Sequence, residues 1–364
     1  MVAQITPVSF RYSHTIGRQE TRGGDGFFHP VAVKRGPGEL LYVLSRGTET
    51  PVFFPCKRVT VCTVDEEYID QFGFKVHPED AVRSAADGAL FWPTSIALDS
   101  LGNAYVADEW LNRISVFDKD GEFIQKWGDP GSSEGKIDRP SGMEFDAEDN
   151  LYIVDSRNHR IQVFAKDGKF LSTWGTQGSK DGQLNFPWGI DIDQNGDVYV
   201  ADWRNDRIQK FTADGRFLMK FGSAGSDDGQ FNRPTGVAVD KDGTIYVADF
   251  KNDRVQIFDA EGDFITSLSG EATVSKWGQE RVNIDPTYVR GREIAQNLEE
   301  REKAFQGPIA VDVDDDGRLF VSEVPRHRVQ VFHKRYANFE GCLLYTSDAA
   351  DEGLGVDLGG RRII

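Results

Sequence analysis

The chain has 364 residues, 39% of them apolar and 12% aromatic, enough hydrophobic material for one large core or two ordinary ones. Forty-two basic against 59 acidic side chains leave a formal charge of −17, which repels phosphate backbones and argues against nucleic acid as a partner. No apolar run approaches the roughly 18 residues of a membrane span, "MVAQITPVSF" lacks the basic start and apolar stretch of a signal peptide, and three cysteines (Cys56, Cys62 and Cys342) suit a reducing compartment, so the expectation is a soluble cytoplasmic protein without a membrane partner.

The first strand expected in chain order is "YSHTIG", Tyr12 to Gly17, which stands alone ahead of a repeating unit. Pro93, Pro140, Pro187 and Pro234 follow one another at 47 residues, as do Asp108, Asp155, Asp202 and Asp249, and Arg113, Arg160, Arg207 and Arg254. Each unit holds four short β-branched and aromatic runs, such as "GIDID", "DVYVAD", "RIQKF" and "RFLMKF" after Pro187, which predict a four-stranded antiparallel sheet. Flanking units opened by Pro30 and Pro308 keep the pattern with insertions at 47–57, 74–92 and 270–306. Six sheets without helices to cover them are hidden best by radial packing, which predicts an all-β, six-bladed β-propeller spanning 1–341. Tyr12–Gly17 matches the outer run Phe217–Gly222 in spacing, and the last unit lacks an outer strand. The N-terminal strand is therefore expected to complete blade six.

These units resemble NHL repeats, over roughly residues 10–335, and the resemblance implies the same six-bladed fold. They also resemble the propeller of the zinc-dependent peptidyl-hydroxyglycine amidating lyase, whose metal histidines include ones just after the blade-opening proline. Here those positions are Val31, Thr94, Ser141, Trp188, Thr235 and Ile309, which argues against that activity and its zinc. RNA-binding NHL propellers present a basic face, for which Arg157, Arg204, Lys251 and Arg326 are the candidates. Glu109, Asp206, Asp228, Asp253 and the overall charge oppose it. The stretch "CLLYTSDAADEGLGVDLGGRRII", 342–364, resembles a translated sequencing-library adapter. It is expected to be a non-native tail after a natural chain cut short near Gly341.

The recurring Asp202–Arg207 pair, with Glu323–Arg328 as its blade-six form, reads as a turn-fixing device. "DIDQNGDVY" fails as a calcium loop, because Val198 and Arg204 stand where that loop needs Gly and Glu. The six histidines show no metal-ligand spacing, and no cofactor or metal is predicted. In such blades the loops between strands two and three and those between blades share one face, and all three insertions fall there, marking a binding face at the channel mouth. Trp110, Trp188, Trp203 and Phe250 with Arg157, Arg204 and Arg326 form the expected rim. Val289, Ile294, Leu298 and Phe305 suggest an amphipathic helix over Pro286–Phe305, either a packing patch or a lid. The leading reading is a non-catalytic module engaging a protein or small ligand on that face. The alternative is a lyase or hydrolase whose site draws His29, Glu109, His159, Glu323 and His327 from separate blades.

Overall fold

Within each unit the second and third strands are buried almost without interruption, as in Val198–Asp202 and Arg207–Phe211, because neighbouring blades cover both of their faces. The fourth strand, Phe217–Phe221, alternates between half-buried and exposed, as an outer strand should. The computed structural model describes residues 8–48, 56–73, 87–284 and 302–336. Over these it is a ring of six four-stranded antiparallel blades. Six apolar clusters hold the ring together, each drawing its residues from two adjacent blades.

Each inter-blade loop drives one large apolar side chain into the groove, three residues before the opening proline: Phe27, Leu90, Ile137, Leu184, Phe231 and Phe305, all buried. A glycine ends the outer strand opposite each plug. Gly222, for example, has φ +87 and sits so close to the Phe231 ring that an added Cβ would lie 2.3 Å from it. The innermost strands approach the axis closely through small residues, and a Cβ at Gly189 would meet the Thr235 carbonyl at 2.2 Å.

Ring closure follows the sequence expectation. Val8–Ile16 is the outer strand of blade six, antiparallel to Arg328–Tyr336, with Ile16 opposite Val329 and a bulge between Tyr12 and His14. His14 Nε2 also reaches the Val64 carbonyl of blade one at 2.8 Å, so the strand ties the first blade to the last.

The helix expected over Pro286–Phe305 falls almost wholly on residues that the structure does not describe. Residues 49–55, 74–86, 285–301 and the tail 342–364 lie outside the described residues, and with them most of the three inserts, Val289, Ile294 and Leu298. The helix that is described runs Lys276–Ile284 and buries Trp277 against Phe27, at 5.9 Å between ring centroids, in the cluster that also holds Ile16 and Val64. It seals the groove between blades six and one. Phe305 is the blade-six plug, packed on Phe332.

Candidate functional site

In blades two to six the turn between strands two and three on the insert-bearing face is built on one carboxylate, whose place Ser45 takes in blade one. In blade four, Asp202 accepts the Asn185 amide at 2.7 Å, Asn205 Nδ2 at 2.8 Å, Arg207 Nε at 2.8 Å and Gln209 Nε2 at 3.1 Å. Burial holds this carboxyl above its ordinary value, and the hydrogen bonds from Asn205, Asn185 and Arg207 offset only part of that rise. Asp155 and Asp249 repeat the arrangement with Arg160 and Arg254, and Glu323 holds Arg328 Nη2 at 3.0 Å. The motif is geometric: it pins the turn to the preceding inter-blade loop and saturates the acid.

One residue further along, a second device joins consecutive blades. The amide of the residue before the opening proline donates to a side chain in the turn of the preceding blade. Arg139 reaches Asn112 Oδ1 at 2.7 Å, Phe186 reaches His159 Nδ1 at 3.0 Å and Arg233 reaches Asp206 Oδ1 at 2.8 Å. Gly307 reaches Asp253 Oδ1 at 2.7 Å, and His29 reaches His327 Nδ1 at 3.0 Å. Donor and acceptor residues all have left-handed φ between 48° and 60°. Asn and Asp enter that region easily, so their recurrence is conformational.

This assigns a physical role to two of the histidines. His159 and His327 accept through Nδ1, so their neutral rings carry hydrogen on Nε2. Burial, with Arg204 beside it, lowers His159, and burial, with His29 beside it, takes His327 down to about 4. Because the folded value lies below the unfolded one, near 6.5, the His327 contribution is present above about pH 6.5 and is lost as pH falls toward 4. His327→Asn keeps an acceptor and removes the titration, so its melting temperature is expected to depend less on pH between about 4 and 6.5. His327→Leu is expected to cost about 1 kcal/mol at neutral pH by leaving the His29 amide unmatched. Thermal melts across that pH range check both.

The other catalytic candidates are similarly engaged. His29 stacks on His327 at 4.9 Å and its Nδ1 donates to the Gly47 carbonyl at 2.9 Å. Glu109 is ion-paired with Arg46. The structure brings His29 and His327 together and places Glu109 and His159 at other junctions. Among the described residues no group of His, Cys, Asp or Glu has metal-holding geometry.

The rim residues fall into separate groups. Trp188 lines the mouth of the central channel, a cavity of about 70 Å³, and faces Trp203 at 6.3 Å. Arg233 lies over Trp203 at 4.7 Å, and Arg204 over Phe186 at 4.1 Å. Arg157 is exposed, 3.6 Å from Asp138. Phe250 carries Lys251 over its ring at 4.9 Å. Trp110 sits across the face with Trp92, 4.7 Å between centroids. Arg326 corrects the sequence reading. Counted from Glu323 it occupies the place of Asn205, and Pro325 that of Arg204, so it leaves the arc and instead lines a cavity of about 430 Å³ beside Thr15, Thr273 and Arg328.

A charged cluster on the channel wall escaped the sequence reading. Four residues after the opening proline stand Lys34, Glu144, Asp191 and Asp312. Lys34 Nζ bonds Glu144 at 2.7 Å and lies 3.4 Å from Asp312, and Asp191 accepts the Val239 amide at 2.7 Å. Burial, and then Glu144, pushes Asp191 up to about 8.

A family model described as the NHL repeat matches residues 138–164, 184–211, 231–258 and 305–332, the first three strands of blades three to six. The RING finger protein nhl-1 of Caenorhabditis elegans is 39% identical over 56 residues, 15% of this chain and 6% of that protein, so the chain spans a small part of that relative. Among solved structures, a protein of unknown function from Bacteroides thetaiotaomicron superposes with TM-score 0.59 at 17% identity, covering 90% of this chain and 76% of that one. A streptogramin B lyase gives TM-score 0.53 at 11% identity, covering 90% and 98%. A catalytically inactive histidine-to-alanine virginiamycin B lyase from Staphylococcus aureus with quinupristin gives 0.54 at 10%, covering 89% and 99%. At these identities the likeness is one of fold alone.

Proposed function

From a six-bladed propeller that carries NHL repeats, we propose a binding module without catalysis of its own, engaging a protein or small ligand on the insert-bearing face. The observation that carries this reading is how the polar groups of that face are used. His29, His159, Glu323 and His327 each hydrogen-bond the backbone or a partner that fixes a turn or a blade junction. Large aromatic surface is meanwhile left toward solvent, with Trp110 54% exposed. Cys56 and Cys62 are buried thiols outside any disulfide, which supports a reducing, cytoplasmic setting. No helix among the described residues is long and apolar enough to cross a membrane.

The test is a panel of end-blocked peptides, sugars, esters and lactones, scored both for thermal shift and for turnover by mass spectrometry. The expected result is a ligand class that raises the melting temperature unchanged in mass, with affinity at least about tenfold weaker in Trp110→Ala or in Trp203→Ala. Turnover of any panel member that disappears in His29→Ala and His327→Ala would reverse the reading in favour of a lyase or hydrolase.

A further inference from the structure

Two arginines on the insert-bearing face stand outside the ion pairs that organise the rest of it. Arg204 occupies the turn Trp203–Asn205 of blade four, where its amide holds the Asn185 carbonyl at 3.0 Å, and its guanidinium lies 4.1 Å over Phe186 and 5.7 Å over Trp203. Arg233, just before Pro234, lies over the same Trp203 at 4.7 Å and donates through Nη1 to its carbonyl at 3.4 Å. Among the described residues neither guanidinium has a carboxylate partner. The acids around them are used elsewhere. Asp202 and Asp249 are buried on Arg207 and Arg254, Asp228 lies 3.8 Å from Arg254, and Asp181 pairs with Lys220. Asp206, at the end of the same turn, takes the Arg233 amide on Oδ1 at 2.8 Å. Arg157, at the turn position of Arg204 in blade three, is exposed and 3.6 Å from Asp138. Blades three to five are described without a break, so the neighbours of these arginines on both sides are known.

Resting on the binding-module reading, we infer that the blade-four sector of this face is the docking site, and that it takes an acidic segment of a protein partner whose carboxylates meet Arg204 and Arg233, with Arg157 extending the track. A guanidinium laid over a ring is held by its face while its N–H edges stay open. Both side chains are thus presented for bidentate carboxylates with little rotamer freedom left to lose. The room available decides between a small ligand and a segment. The channel mouth beside Trp188 encloses about 70 Å³, against the roughly 300–1,000 Å³ of a pocket that engulfs a small molecule, so a chain lying across the surface fits better. Charge decides between protein and nucleic acid. At physiological salt a charge is felt over about 8 Å, so a few carboxylates sense the arginines, whereas a long polyphosphate runs on across the surface of a chain at −17.

The probe is an end-blocked decapeptide alternating glutamate with serine, compared with its glutamine and lysine counterparts and with an oligouridylate of the same length, each titrated by calorimetry at low salt. The glutamate peptide is expected to bind at least about tenfold tighter than either counterpart, to bind tighter than the oligonucleotide, and to weaken as salt rises. Arg204→Gln and Arg233→Gln should each lower that affinity about threefold to fivefold, and about tenfold together, with cooperative unfolding retained. Arg204→Lys keeps the charge without the fork and should fall between the parent and Arg204→Gln. Trp110→Ala, across the face, should leave the affinity unchanged. Equal binding of the glutamate and glutamine peptides, indifference to the double arginine variant, or no binding at millimolar peptide overturns the assignment. So does an oligonucleotide that binds tighter than the peptide and is lost in the double variant, which gives the surface to nucleic acid. A ligand from the panel above that depends on Trp110 and ignores both arginines overturns the blade-four site and leaves the binding-module reading intact.

Discussion

A protein lacking residues 1–17 is expected to lose its cooperative unfolding transition and to self-associate. Val8–Ile16 supplies the outer strand of blade six, and without it the nine-residue strand Arg328–Tyr336 becomes an open edge able to pair with another chain. The loss spreads beyond that blade. Ile16 is fully buried, Phe10 meets Tyr246 edge-on at 5.8 Å, and Tyr12 meets Phe332 at 5.7 Å. Gly17 donates its amide to Glu66 of blade one at 2.7 Å and accepts Ser275 Oγ of the last insert at 2.7 Å. Burial of those side chains alone accounts for several kcal/mol, against a total stability of roughly 5–15 kcal/mol for a folded protein. Urea unfolding with light scattering measures the effect, and a synthetic peptide of residues 1–17 added in excess should restore the transition. A truncated protein that stays monomeric and melts within a few degrees of the full chain contradicts the expectation.

Lys34→Met is expected to cost about 3–5 kcal/mol, because it strips the ammonium from a channel that still holds Glu144, Asp191 and Asp312. Burial alone pulls the Lys34 ammonium down, but Asp312, Glu144 and Asp191 reverse that and leave it raised. The same cluster predicts a slope with pH. Asp191 is raised to about 8 in the fold, above its unfolded value of 3.8, so the native state keeps a proton that the unfolded chain releases. Its contribution is full below pH 3.8 and is lost as pH rises through about 8. Stability should therefore fall between about pH 4 and 8 and level off above that, and Asp191→Asn should flatten that slope while leaving Lys34 two partners. Urea midpoints across the range decide it. A Lys34→Met protein within about 1 kcal/mol of the parent, or an unchanged slope in Asp191→Asn, runs against it.

The repeat was legible because blades of equal geometry impose equal spacing, so the 47-residue step of Pro93, Pro140, Pro187 and Pro234 is itself a structural measurement. Tyr12–Gly17 was legible as the closing strand for the same reason. Where insertion breaks the step, reading becomes harder. Phe305 reads as one face of a helix until it is counted back from Pro308, when it falls in line with Phe27, Leu90, Ile137, Leu184 and Phe231. Arg326 goes astray likewise, because only the pairing of Glu323 with Arg328 fixes its place in the turn. The channel charges had no such signal. Lys34, Glu144, Asp191 and Asp312 share a register position but differ in sign and type, and Ala97 and Ala238 complete the set, so an exposed surface position would look the same. In blade two the departures Leu111 and Ser115 from the Asn and Gln of blades three to five are plain in the sequence, but that Asp108 then accepts the Trp110 and Leu111 amides, at 3.1 and 3.0 Å, follows only from the structure.

The position of every residue on the insert-bearing face depends on a ring that its own first strand closes. A cysteine pair at Arg11 and His333, opposite one another in that strand pairing, tests this most directly. Antiparallel partners lie within disulfide reach, and Cys56 and Cys62 are buried away from the bond. With Cys342 replaced by serine, the account predicts that Arg11→Cys/His333→Cys forms an intramolecular disulfide under mild oxidation, in the monomer and without loss of melting temperature. A pair that stays reduced, or that bonds only between molecules, contradicts it.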